Sequence, residues 1–166
     1  MGLLGVVQSL YFFTRLPEKV AIHFGPGGFP DSWTSNEANL AINISLYVLL
    51  VSLFVVISMM LEAAPVRFLN IPGKEYWMAE ERRVTTIEHV GGFLNVFGTA
   101  LIIFFLVLGY LGFSANMRDP VVLDESVVWS VAGVFVVFTV VWLFLFYRKF
   151  KMPSQANSPY AKNRSD

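Results

Sequence analysis

The sequence contains no cysteine, and that absence excludes disulfides, thiolate metal sites and cysteine nucleophiles together. Histidine is nearly absent as well. His23 and His89 stand alone, too few for a histidine-rich metal cluster. Charged residues make up 14% of the chain and cancel to a formal net charge of zero, so no global field points to nucleic acid or to an acidic substrate. No Walker loop, dinucleotide fingerprint, G-x-S-x-G or H-E-x-x-H occurs. Glu88 and His89 are adjacent, which on a helix turns them to different faces. An active site would have to assemble from scattered residues such as Glu81, Arg82 and His89. The sequence is therefore read as non-enzymatic, with no cofactor and no metal.

What the chain does have is apolar length. Hydrophobic residues make up 55% of its 166 positions and the mean hydropathy is +0.60, beyond an ordinary soluble domain. Residues 1–14 are uncharged but short. Pro17 disfavours helix at the residue before it, so a helix ending near Arg15 is roughly 22 Å long, against a hydrocarbon core of about 30 Å. No basic n-region or A-x-A-like site accompanies it, which argues against a signal peptide. Longer uncharged runs cover 38–61, 90–115 and 126–147. Thr34 and Glu37 have capping-box spacing at the start of the first of these, and Glu62 and Pro65 close it. The expected fold class is all-α: an integral membrane helical bundle of about four transmembrane helices over residues 1–151. Residues 152–166, rich in Pro, Ser and Asn, read as a disordered cytoplasmic tail.

No Asp, Glu, Lys or Arg lies deep in any run, so an ion or proton pathway has nothing to run on. The polar residues inside the runs suit interhelical hydrogen bonds, with Ser58 at a depth to meet Asn95, and Ser130 or Tyr11 at one to meet Asn43. Four spans place Arg67, Lys74, Arg82, Arg83, Arg148, Lys149, Lys151, Lys162 and Arg164 on one side, and only Arg15, Lys19 and Arg118 on the other. Basic residues near a membrane are retained in the cytoplasm, so both termini are expected inside. Should the first helix fail to span, the N-terminus alone changes side.

Two connecting stretches carry specific composition. The outer loop, residues 16–33, sets Pro17, Pro26 and Pro30 and Gly25, Gly27 and Gly28 among aromatic residues, a mixture that fixes a defined shape. Val20 to Phe24 suits a short strand and Pro30-Asp31 a turn, with Asp31 free to accept main-chain hydrogen bonds at the following helix start. His23 lies close enough to Asp31 for the two to orient each other. Phe24, Phe29 and Trp33 are either anchors for an apolar or peptide ligand or members of the outer aromatic belt. In the inner loop, residues 68–83, Asn70-Ile71-Pro72-Gly73 reads as a turn and an interfacial helix follows it. Tyr76, Trp77 and Met78 suit the headgroup level, while Glu75, Glu80, Glu81, Arg82 and Arg83 face water or pair with one another. The alternative is a docking surface formed by Lys74, Tyr76, Trp77, Glu81, Arg82 and Arg83.

Two patterns together resemble a known family. Leu16-Pro17, Ile22-His23-Phe24 and Gly28-Phe29-Pro30-Asp31-Ser32-Trp33 lie ahead of the second helix, and Asn70, Pro72, Lys74, Tyr76, Trp77, Ala79, Glu81, Arg82 and Arg83 lie behind it. Their order and spacing resemble a bacterial multi-pass membrane family of unknown function, whose module also forms the N-terminal part of SdpI-type toxin-immunity proteins. The likeness covers residues 10–95. It implies a bacterial inner-membrane protein of binding, signalling or immunity-like function. His23, Phe24, Phe29, Pro30, Asp31 and Trp33 would then face an outer ligand and the inner-loop residues a partner. An accessory subunit of a larger membrane complex is the alternative, and a small transporter ranks last. The partners called for are the lipid bilayer and a protein in the membrane or on either side of it, a second copy of the chain included. Nothing calls for nucleic acid.

Overall fold

The structure, a computed structural model, describes residues 1–63, 65 and 69–152. The tail beyond Met152, together with Arg67 and Phe68, lies outside the described residues. Helix α1 (Gly2–Phe13) leads into an antiparallel hairpin of β1 (Lys19–Phe24) and β2 (Pro30–Ser35), followed by α2 (Asn36–Ala63). A single helical turn, α3 (Lys74–Trp77), precedes α4 (Arg83–Asn116) and α5 (Glu125–Phe150). The protein is mostly helical, and α2, α4 and α5 are each long and apolar enough to cross a membrane. The reading of about four spans depends on α1, which has 12 residues and a length of about 18 Å.

Several local expectations are corrected. Pro30 and Asp31 do not form a turn; they open strand β2, and the reversal is made earlier by Gly27 and Gly28 at positive φ, which only glycine adopts freely. The cap of α2 is Ser35, whose Oγ accepts from the Ala38 N–H at 3.2 Å. Thr34 is paired with Val20 in the sheet instead. The interfacial helix of the inner loop reduces to the one turn of α3. The residues after it run into α4, which starts at Arg83 and makes the third apolar helix 34 residues long.

Close approach at small residues packs the helices. A Cβ on Gly5 of α1 would lie 2.5 Å from the Tyr47 ring of α2, and one on Gly98 of α4 would lie 2.8 Å from the Phe54 ring. Small residues do this work in lipid, where helices gain little from hiding apolar surface. Tyr47 is nearly fully buried, with Leu50 and Ile102 beside it. Gln8 Nε2 on α1 donates to the Leu106 carbonyl of α4 at 3.1 Å. The expected Ser58–Asn95 and Asn43–Ser130 bonds do not form. Ser58 donates to Phe54 O and Ser130 to Ser126 O in their own helices, and Asn43 bonds Asn39. A hydroxyl in an apolar helix satisfies itself on the preceding turn at no cost in packing.

Helix α5 packs along α4 through rings: Phe97 against Phe135, Phe138 and Trp142, and Phe104 against Phe135. Asp124 caps it by accepting from Ser126 N and Val127 N. The Ser126 hydroxyl, donating to the same carboxylate, and then the Val127 amide hold Asp124 below the ordinary carboxylate range, with Arg118 a smaller contribution. The folded-state value is depressed, so this cap is intact above the unfolded carboxylate value and is lost as pH falls through the folded one. The protection of the Ser126 and Val127 amides, measured against their intrinsic exchange rate at each pH, is expected to fall on acidification in the native chain. Asp124→Asn, which caps without titrating, should show no such change.

Candidate functional site

The candidate site is the hairpin, and its position is set by buried asparagines. Ala21 is the β1 residue whose main chain points away from β2. Asn116, the last residue of α4, fills that edge: its Oδ1 accepts from Ala21 N–H at 2.7 Å and its Nδ2 donates to Ala21 C=O at 2.9 Å. Nδ2 also donates to Gly112 C=O at 2.9 Å. One amide thus stands where a third strand would be. Asn36 does similar work at the base, donating from Nδ2 to Phe13 O at 2.8 Å, while its own N–H donates to Glu18 O. At the tip, Leu123 N–H donates to Gly28 O at 2.9 Å, and Gly27 N–H donates to Glu125 Oε1 at 2.9 Å. Beneath the hairpin, Val20 and Leu16 are buried with Phe12 and Phe113. Base, middle and tip are therefore each fastened to helix ends.

The outward side is shaped by the strand register. Pairing runs Lys19↔Ser35, Val20↔Thr34, Ala21↔Trp33, His23↔Ser32 and Phe24↔Pro30, so Ile22 and Asp31 are each the extra residue of a bulge. Bulges re-aim side chains. Here His23 Nδ1 and Asp31 Oδ1 meet at 2.5 Å, with side chains 70% and 52% exposed. Asp31 therefore partners His23 rather than the start of α2. Ile22, Phe29 and Trp33 are exposed apolar groups on the same small element, Phe29 the most so at 61%. Phe24 and Pro30 are half-buried. Lys19 Nζ sits 5.5 Å over the Trp33 ring, which holds the indole in place. Because Ala21 faces Asn116, the opposite residue Trp33 turns its own N–H and C=O away from β1, by the alternation of an antiparallel ladder. The β2 edge is thus available for main-chain pairing beside an exposed indole.

The inner-loop residues are gathered differently. Gly73, at φ +63°, turns the chain under the end of α5, where a Cβ would lie 3.3 Å from Phe150 O. Trp77 Nε1 donates to Phe150 O at 2.7 Å and its ring meets Phe150 edge-on. Arg82 lies over the Tyr76 ring at 4.1 Å and donates from Nε to Tyr76 O. Thr86 of α4 donates to Trp77 O. Tyr76, Trp77 and Arg82 thereby tie α3 to the ends of α4 and α5, around a core of Ile71, Met78 and Phe150. Arg83, half-buried, opens α4, and Lys74 is likewise half-buried; Glu75, Glu80 and Glu81 are exposed. The two sets of candidate residues lie at opposite ends of α2 and α4 and do not meet.

Asn116, Asn36 and Glu125 are not singled out in the sequence, and Gly28 figures there only as a loop-shaping glycine and as part of the outer-loop pattern. Asn116 is 95 positions from its partner, and its one local signal is an asparagine ending an apolar run. Among the described residues no three of His, Asp and Glu converge as a metal site would need.

The family model described as a domain of unknown function (DUF1648) matches residues 1–44. That range holds α1, the whole hairpin and the start of α2, and stops short of the inner-loop pattern at 70–83. No curated protein and no solved structure matches the chain. In its first 44 residues, then, the chain is similar to a family of uncharacterised function, and the match centres on the hairpin.

Proposed function

We propose that the protein is a bacterial inner-membrane binding or signalling protein, immunity-like in character, whose hairpin is a ligand surface on the outer face. One observation carries this reading. The hairpin is fastened at base, middle and tip to the helix ends, yet Ile22, His23, Phe29, Asp31 and Trp33 stay exposed upon it. Recognition residues on a rigid support bind without an ordering cost, and aromatic groups at the centre of a patch are the usual anchors. The free β2 edge suits an extended peptide segment, which pairs by its main chain and seats alternate side chains. In this proposal the chain makes four passes, α1 included, and both termini face the cytoplasm, the side where the basic residues gather. The protein acts by binding, without catalysis.

A photo-crosslinker at Trp33 and, separately, at Tyr76 tests the reading in intact cells. A secreted or soluble peptide caught at Trp33 supports it. Combining Phe29→Ser with Trp33→Ser should then lower capture at a neighbouring probe by about tenfold or more, with hairpin amide protection unchanged. The same large membrane protein at both probes supports the second reading, an accessory subunit. What favours that alternative is α5, of whose apolar stretch nothing is buried.

A further inference from the structure

At the α3 end of the bundle, α4 and α5 line a groove of about 550 Å³. Its walls are Gly92, Phe93 and Val96 on one side and Phe138, Val141, Trp142 and Leu145 on the other. It is open because Gly92 supplies no side chain: a Cβ there would meet nothing within 4 Å. The Trp142 indole donates to Phe93 O at 3.0 Å, so this wall is fixed rather than collapsed. The apolar channel ends at Glu88 and His89. His89 Nδ1 lies 2.6 Å from Thr85 O, a carbonyl that can only accept. The proton of the neutral ring is therefore on Nδ1, and Nε2 is left as an acceptor. The α4 side of the mouth thus offers a carboxylate and an imidazole lone pair, both acceptors. On α5, one turn beyond Leu145, stand Arg148 and Lys149. Among the described residues neither Glu88 nor Arg148 takes part in an ion pair.

A carboxylate and an imidazole at the α4 end of the channel, a pair of cations one turn past its α5 wall and an apolar channel between the two helices are complementary to one kind of molecule. We infer that this groove holds one chain of a phospholipid with a primary ammonium headgroup. The ammonium, which has three donors and no acceptor, sits against Glu88 and His89, and the phosphate faces Arg148 and Lys149. A phosphatidylglycerol headgroup presents hydroxyls where the ammonium would be, and leaves the Glu88 charge uncompensated. The inference is independent of what the hairpin binds.

The full chain, placed in nanodiscs of equal phosphatidylethanolamine and phosphatidylglycerol and then released into detergent, reports its retained lipid by native mass spectrometry. Phosphatidylethanolamine is expected to be retained over phosphatidylglycerol by roughly tenfold, the size of one hydrogen bond to a charged group. Glu88→Gln should erase that preference and still retain a lipid. Gly92→Leu, which fills the groove from an open position on α4, should lose the retained lipid with the helical content intact. Equal retention of the two lipids, or a preference for phosphatidylglycerol, overturns the headgroup assignment. Phosphatidylethanolamine retention that survives Gly92→Leu overturns the groove as its location.

Discussion

Replacing Asn116 with alanine is expected to release β1 from the end of α4 while leaving the helices assembled. The substitution removes an acceptor from Ala21 N–H and a donor from Ala21 C=O at a position where both residues are buried. Taking about 1–3 kcal/mol for each stranded main-chain group, the hairpin should lose about 3 kcal/mol of local stability. Hydrogen exchange is the direct measurement. Amides of Val20 to His23 should lose protection, while the amides of α2 and α4 around Tyr47 and Ile102 stay slow. Protection in β1 that is unchanged would mean that Asn36 and the tip hold the hairpin by themselves. Asn116→Asp offers a second check, since a carboxylate keeps the acceptor for Ala21 N–H but has no donor for its carbonyl.

The second large effect is expected at Gly28. An alanine Cβ there would lie 1.9 Å from the Leu123 carbonyl oxygen, and the obstacle is main chain, which cannot turn aside as a side chain can. The position also has φ +75°, a strained region for any residue with a Cβ. Adding that strain to the lost Leu123 N–H···O=C bond gives a cost of roughly 2–4 kcal/mol, read as undocking of the tip from the α4–α5 link. Gly133→Ala makes the contrast. It lies in α5 with nothing within 4 Å of the new Cβ, and alanine there should be neutral or should stabilise by about 0.5–1 kcal/mol. Thermal unfolding in detergent separates the two. Equal behaviour of the two variants would show that the tip contact contributes nothing.

These two residues mark where the sequence stops being legible. The three long helices follow from uncharged runs of membrane length, because hydropathy is a property of each segment by itself. The strand from Val20 to Phe24 is visible for the same reason. Strand β2 is hidden because Pro30 and Asp31 carry turn chemistry, which the bulge at Asp31 accommodates within the pairing. Ser35 rather than Thr34 caps α2 because the ladder claims Thr34 first, a competition that spacing cannot register. The pairing of His23 with Asp31 was in reach, since both sit on one short loop. Asn116 was not, because its meaning depends on a main-chain edge 95 residues away. At the other end, Trp77 and Tyr76 have the composition of a docking surface, and only their geometry shows Trp77 on Phe150 and Tyr76 under Arg82.

Helix α5 is fastened at both ends by hydrogen bonds, and between them its rings lie along α4. At one tip Glu125 accepts the Gly27 amide of the hairpin; at the other Phe150 is fully enclosed and takes the Trp77 indole. Between them Val134, Val136, Val137 and Val140 are exposed. The hairpin tip and the turn that carries Trp77 are therefore moored to opposite ends of one helix, the first through Glu125 and the second through Phe150.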